Sequence, residues 1–206
     1  DSQTGAASAA SPTKESGPNF RSFRPTTSPT RYVPTMSAIL NNSTTSAGSD
    51  IIVEALSSVA RTLNFRLTAR DNVAGQGQTN FDNMVVTVDA TRGPLTVTSQ
   101  NVDGIVWAPN STQTVTWAVN NTTLLPGSAN VDIYLSTDGG YTYPITLISN
   151  TPNDGSQNVV IPNVFATNCR IMVKPTGNIY YDINTTDFAI GYSISNVCNT
   201  YTATPN

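Results

Sequence analysis

The sequence predicts an all-β chain of immunoglobulin-like or fibronectin-III-like sandwiches in tandem, the first lacking part of its strands. Three observations predict it. Short alternating apolar segments recur at roughly 8–12 residue spacing from Pro94 onward, the interval expected of a sandwich. Gly, Asn, Asp and Pro punctuate every gap between them. The composition is 38% apolar and only 11% charged, with Ser, Thr and Asn making up the difference. Hydroxyl-bearing, β-branched residues suit a pleated sheet with one face in water. A length of 206 residues allows one large β domain or two of ordinary size.

Taken in order, residues 1–31 are Ser/Thr/Pro-rich without periodicity and read as a loop or linker. Tyr32–Leu40 is a short apolar stretch, either an irregular turn or a short helix. Residues 51–60 (IIVEALSSVA) are ambiguous between strand and helix. Thr62–Ala69 alternates clearly, with Leu63, Phe65 and Leu67 on one side and Asn64, Arg66 and Thr68 on the other, and predicts a half-buried strand. Asp71–Gly77 has turn chemistry. Asp82–Asp89 predicts a second strand, with Val85 and Val88 among its apolar positions, so the pair reads as the closing hairpin of a partial module spanning 32–92. Thr91-Arg92-Gly93-Pro94 marks a junction. A sandwich over 93–191 follows, with strands predicted at Leu95–Thr98, Gly104–Trp107, Thr112–Val119, Val131–Ser136, Ile145–Ser149, Asn158–Ile161, Arg170–Lys174, Ile179–Ile183 and Phe188–Ile190. Residues 192–206 read as a linker.

The chemistry is bounded chiefly by one fact: the chain has no histidine. An HExxH zinc site, a Ser-His-Asp triad and a Cys-His pair are excluded within it. The net charge is −3 with no basic run, so no nucleic-acid footprint and no polybasic membrane anchor are present. No apolar run has the length of a membrane span. Residues 93–190 carry Arg170 and Lys174 against six aspartates, a mildly acidic half that reads as solvated surface or as a cation-binding face. No signal peptide is visible at Asp1, so the chain is expected to begin as a processed or internal fragment.

Several residues are candidates for binding. Trp107, Tyr141, Tyr143, Tyr180 and Tyr181 could present aromatic faces to a sugar or protein ligand, while Trp117, in an alternating strand, reads as core. Asp71, Asp82 and Asp89 could gather at a domain boundary around Ca²⁺, which needs six to eight oxygens. Turn formation is the plainer role for each. Arg21, Arg24 and Arg31 near Phe20, Phe23 and Tyr32 could form a recognition patch or pack on their own domain. Cys169 and Cys198 could pair in an oxidising compartment or remain separate thiols. Asn41, Asn42, Asn110, Asn121 and Asn184 satisfy the N-x-S/T spacing. Ser136–Tyr143 (STDGGYTY) matches S-x-D-x-G-x-T-aromatic and resembles the Asp-box of sialidases. Its physics is a tight hairpin in which Ser136 and Asp138 bond turn amides and Gly139 supplies positive φ. A propeller would need several copies, and there is one.

The segments FRSFRPTTSPTRYVP, SVARTLNFRLTARDN, VDIYLSTDGGYTYPITLISNTPNDGSQNVVIPN, RIMVKPTGNIYYDIN and TTDFAI together resemble the C-terminal accessory region of secreted reprolysin-like zinc metallopeptidases of Bacteroidetes. The likeness spans Phe20 to Ile190, and Val131–Asn163 is its most specific part. It implies Ig-like or cadherin-like modules after a catalytic domain, a first module missing earlier strands, and a secreted or cell-surface location with a sorting domain beyond. It also implies that Val197–Tyr201 opens a following P-like module, which would assign Cys198 to that module. The family's zinc ligands and catalytic glutamate have no matching positions. Three functions remain in view: a non-catalytic accessory or spacer region touching protein substrate, a glycan-binding module, and a structural adhesin or stalk segment. No cofactor is expected beyond the calcium just considered.

Overall fold

A computed structural model describes residues 8–22, 24–49 and 51–192. The chain is nearly all β and divides into two compact units, Asp1–Arg92 and Gly93–Asn206. No helix among the described residues is long and apolar enough to cross a membrane.

Among its described residues the first unit holds one short helix, α1 (Met36–Leu40), and four strands: β1 (Thr45–Ala47), β2 (Ile52–Ala55), β3 (Arg61–Arg70) and β4 (Thr79–Val88). They form two separate antiparallel pairs, β1–β2 and β3–β4. The ambiguity at 51–60 resolves to a strand over Ile52–Ala55 followed by irregular chain, and the Tyr32–Leu40 stretch to a single helical turn and its approach. Residues 8–31 contain no strand, yet they are pinned to the unit. Ala10 N–H donates to Ile52 O at 3.2 Å, Ser58 N–H to Pro12 O at 2.8 Å, and Ala55 N–H to Asn19 O at 3.0 Å. Asn19 is buried; its Oδ1 accepts the Ser11 N–H and its Nδ2 donates to Ser11 O and Ser57 Oγ. The Arg61 guanidinium holds the same segment through Lys14 O at 2.7 Å and Gly17 O at 2.5 Å.

Among its described residues the second unit holds nine strands. A three-stranded sheet has the order β10 (Ser156–Val160), β7 (Thr112–Ala118), β5 (Thr96–Val97). A six-stranded sheet has the order β6 (Val106–Trp107), β13 (Phe188–Ile190), β11 (Ala166–Pro175), β8 (Asn130–Ser136), β9 (Ile145–Pro152), with β12 (Asp182–Ile183) also on β11. Every pairing is antiparallel except β6 with β13, which is parallel.

The two sheets share one core because alternate side chains of each point the same way. Val115 and Trp117 of β7, Val131, Ile133 and Leu135 of β8, and Cys169, Ile171 and Val173 of β11 all lie in it, with Val97, Trp107, Val159 and Phe188. Thr114 and Thr116 take the outward positions of β7. β11 is buried on both faces over Cys169–Val173, as a central strand should be, whereas β9 at the sheet margin is largely open. At one end the loops after Pro126 and Pro175 meet backbone to backbone. Gly127 has φ +68° and a Cβ there would fall 2.2 Å from Gly177 O, so only glycine fits.

Candidate functional site

The turn after β8 is the most organised polar loop of the second unit. Ser136 is fully buried, and its Oγ donates to Asp138 Oδ1 at 2.7 Å while accepting the Gly140 N–H at 2.8 Å. Asp138 Oδ1 also accepts the Thr142 N–H at 2.9 Å, and its Oδ2 accepts the Thr142 hydroxyl at 2.6 Å. Gly139 (φ +78°) and Gly140 (φ +93°) supply the left-handed conformations this winding needs. The Gly139 N–H donates across to Asn168 O at 2.8 Å, tying the turn to the start of β11. Partial burial pushes the Asp138 carboxyl up, but the hydrogen bonds from Thr142, Ser136 and the Tyr141 backbone outweigh it. Its pKa therefore lies below the ordinary value.

Beside this turn lies an open depression of about 460 Å³ lined by Thr137, Asp138, Phe165, Thr167, Asn168 and Tyr192. Phe165 and Tyr192 are both well exposed and stand edge to face, with ring centroids 6.2 Å apart. Gly191 makes room for them, since a Cβ at that position would lie 2.4 Å from Phe165 Cδ1. The Asn168 Oδ1 accepts the Thr167 hydroxyl at 2.8 Å, leaving its exposed amide hydrogens toward solvent. One of the two perpendicular rings can stack on a polar ring while the Asn168 amide hydrogen-bonds it; the Asp138 carboxylate is already taken up within the turn.

The residues expected to bind ligand are placed otherwise. Trp107 is only 4% exposed and packs on Phe188 at 4.4 Å between centroids, so it has no free ring face for a sugar and is core, as Trp117 is. Tyr143, Tyr180 and Tyr181 are half-buried with enclosed hydroxyls, and Tyr180 packs against the core. Tyr141 alone of the four tyrosines is widely exposed. The aromatic pair that does face solvent, Phe165 and Tyr192, was missed in the sequence because neither sits in an alternating strand.

Asp71, Asp82 and Asp89 do not converge on a shared cation position. They are strung along one hairpin: Asp71 caps its turn through Val73 N–H and Gln78 N–H, Asp82 faces Leu67 within the ladder, and Asp89 follows the end of β4. Seven residues of extended chain place Asp82 and Asp89 about 23 Å apart. The Thr91 hydroxyl and N–H, with Arg92, hold the Asp89 carboxyl below its usual range despite slight desolvation. Among the described residues no three His, Cys, Asp or Glu side chains stand close enough to hold a metal ion.

Cys169 is a free, fully buried thiol, pushed up to about 12 by burial and then by Asp187, which makes it inert at neutral pH. Cys198 and the Val197–Tyr201 segment lie outside the described residues, as does Phe23. Arg31 Nη2 pairs with Glu54 Oε1 at 2.7 Å, while Arg21 and Arg24 are exposed. Asn184 is 1% exposed with Oδ1 on Ile171 N–H and Nδ2 on Gln100 O and Thr186 O, so glycosylation there is incompatible with the fold.

Four polar centres, three buried and one half-buried, escape a linear reading. Glu54 is fully enclosed and accepts from Arg31, Thr35 N–H and Ser46 Oγ. Asn153 accepts the Trp117 Nε1–H at 2.8 Å and donates to Thr122 Oγ1 and Ser128 O. Arg170 bonds Asp187 Oδ1 at 2.5 Å and Asn184 O at 2.6 Å. Asp182 Oδ2 accepts the Val97 N–H at 2.7 Å, joining β12 to β5. A charged or amide residue inside an apolar strand segment, such as Glu54 in IIVEALSSVA, was the available signal. Comparison with protein-family models, with curated proteins and with solved structures finds no significant match.

Proposed function

We propose that this chain is a non-catalytic accessory region of a secreted or cell-surface bacterial protein, a spacer that supports a catalytic neighbour, of the zinc metallopeptidase kind, or presents its substrate. The observation that carries this reading is where the polar side chains of the second unit are spent. Asp138, Asn153, Arg170, Asp182 and Asn184 all bond backbone or one another, and so brace loops and strands rather than converge on a reacting atom. A three-stranded and a larger sheet over one core, linked β7 to β8 and β9 to β10 across the layers, support an immunoglobulin-like sandwich for this unit. A stiff sandwich with short braced loops suits spacing. In this reading the neighbours are a catalytic domain upstream and a P-like module downstream.

The test is to delete the chain from its parent polypeptide. The expected result is a lower melting temperature and slower turnover of large protein substrates, with small peptides cleaved as before. Unchanged stability together with unchanged turnover of large substrates would remove the idea.

The depression at Phe165 and Tyr192 favours a second reading, glycan binding, and moves its residues away from Trp107. On a glycan array Phe165→Ala should abolish any signal shown by the native chain. Silence from both proteins, or equal signals, ends this reading.

A further inference from the structure

The β3–β4 hairpin is an amphipathic two-stranded sheet with neither outer edge paired among the described residues. Directly opposed residues share a face. One face carries Leu63, Phe65 and Leu67 against Val86, Met84 and Asp82; the other carries Thr62, Asn64, Arg66 and Thr68 against Thr87, Val85, Asn83 and Phe81. Phe20 covers Phe65, with ring centroids 5.4 Å apart, but Leu67 is 64% exposed and Met84 48%. Two ten-residue strands alone make a marginal sheet, and an open edge of this length is a template for further pairing.

The edges differ in what they can accept. A two-fold interface must be self-complementary, because each residue meets its symmetry mate across the axis. β3 reads Thr62-Leu63-Asn64-Phe65-Arg66-Leu67-Thr68, a near-palindrome about Phe65. Antiparallel pairing of two copies there sets Phe65 opposite Phe65, Leu63 opposite Leu67 and Thr62 opposite Thr68. Asn64 then faces Arg66, an amide acceptor against a guanidinium donor. The side chains of Thr62, Asn64, Arg66 and Thr68 are exposed; Arg66 already lies over the Phe81 ring with its Nε on Asn83 Oδ1 at 2.9 Å, so its Nη groups are the donors left for the partner's Asn64. Moving the axis to Arg66 would oppose two like charges, which is unfavourable. β4 has no such symmetry, and its Asp82 lies in the apolar row, a charge that discourages edge pairing.

We infer that two copies of this chain associate through the outer edge of β3, antiparallel about Phe65, to make one four-stranded sheet ordered β4-β3-β3-β4. The register gives the test. Asn64→Arg places two arginines opposite each other twice in the dimer while changing only an exposed residue of the monomer. Asn64→Glu places a carboxylate opposite Arg66 twice. Light scattering on the size-separated full chain should show a dimer for the native protein. Asn64→Arg should weaken association by roughly ten-fold or more and Asn64→Glu should tighten it, each more strongly at low salt. Circular dichroism should show all three proteins equally β. A monomeric native chain overturns the inference, whether its edge is bare or taken by a strand of another protein. So does a dimer whose affinity neither substitution changes.

Discussion

Asp138 and Asp182 carry the same carboxyl group but titrate in opposite directions, and the cause is their surroundings. Asp138 is open to solvent and collects four hydrogen bonds, so its ionised form is favoured despite some desolvation. Its contribution is present above the unfolded carboxylate range and is lost as pH falls through the lowered folded value. Asp182 is half-buried; desolvation pushes it up, and bonds from the Val97 and Ile183 amides offset only part of that. A raised carboxyl works the other way: stability is fullest below the unfolded value of about 3.9 and declines as pH rises through the folded one. Asp182→Asn keeps an oxygen for the Val97 N–H and removes the partly desolvated charge. It should therefore raise the melting temperature at pH 7, and the gain should shrink toward nothing as acid protonates the native carboxyl. Melting curves of both proteins between pH 3 and 7 read this directly. A variant less stable than native at pH 7 would show that the charge itself is needed.

At the scale of elements, the Ser136–Tyr143 turn is held by one side chain more than by any other. Asp138→Ala frees the Thr142 N–H and leaves the buried Ser136 hydroxyl without its acceptor, so it should destabilise the second unit by about 1–2 kcal/mol. Asp138→Asn should recover part of this. Denaturant titration of the three proteins measures it, and a native-like midpoint for the alanine variant would refute the bracing role. The strands around the turn were legible for a simple reason: β7, β8 and β13 alternate or run apolar within clear Gly, Asn and Asp boundaries. β12 shrinks to Asp182–Ile183, because only those two residues reach β11 in register. β11 begins at Ala166, ahead of its apolar run, through an irregular pairing with β13. Contacts between distant segments left no local trace. Arg31 with Glu54, Trp117 with Asn153 and Val97 with Asp182 are separated by 23, 36 and 85 positions. Periodicity likewise cannot say that Trp107 faces inward while Phe165 stands open.

For the molecule as a whole, apolar burial is distributed very unevenly between the two units. The shared core of the second unit draws on β5, β6, β7, β8, β10, β11 and β13. Among the described residues of the first unit the buried apolar side chains are Ala10, Pro34 and Ala55, and its buried order rests instead on the polar centres Asn19 and Glu54. Burial of large side chains is the main favourable contribution to folding, so cooperative resistance to opening should track that core. Amide hydrogen exchange should therefore separate the units. β8 and β11 should open only with an energy close to that of global unfolding, whereas β3 and β4 should exchange through openings at least about 3 kcal/mol cheaper. The measurement belongs on the Asn64→Arg chain, so that pairing of copies does not protect β3. Limited proteolysis of the same chain should cut first within residues 71–78, where every residue is exposed at the hairpin turn, and leave a resistant fragment beginning near Gly93. If β3 and β4 proved as protected as β8 and β11, the polar centres of the first unit would have to supply stability comparable to a full hydrophobic core. The net value of about 1 kcal/mol for a typical hydrogen bond argues strongly against that.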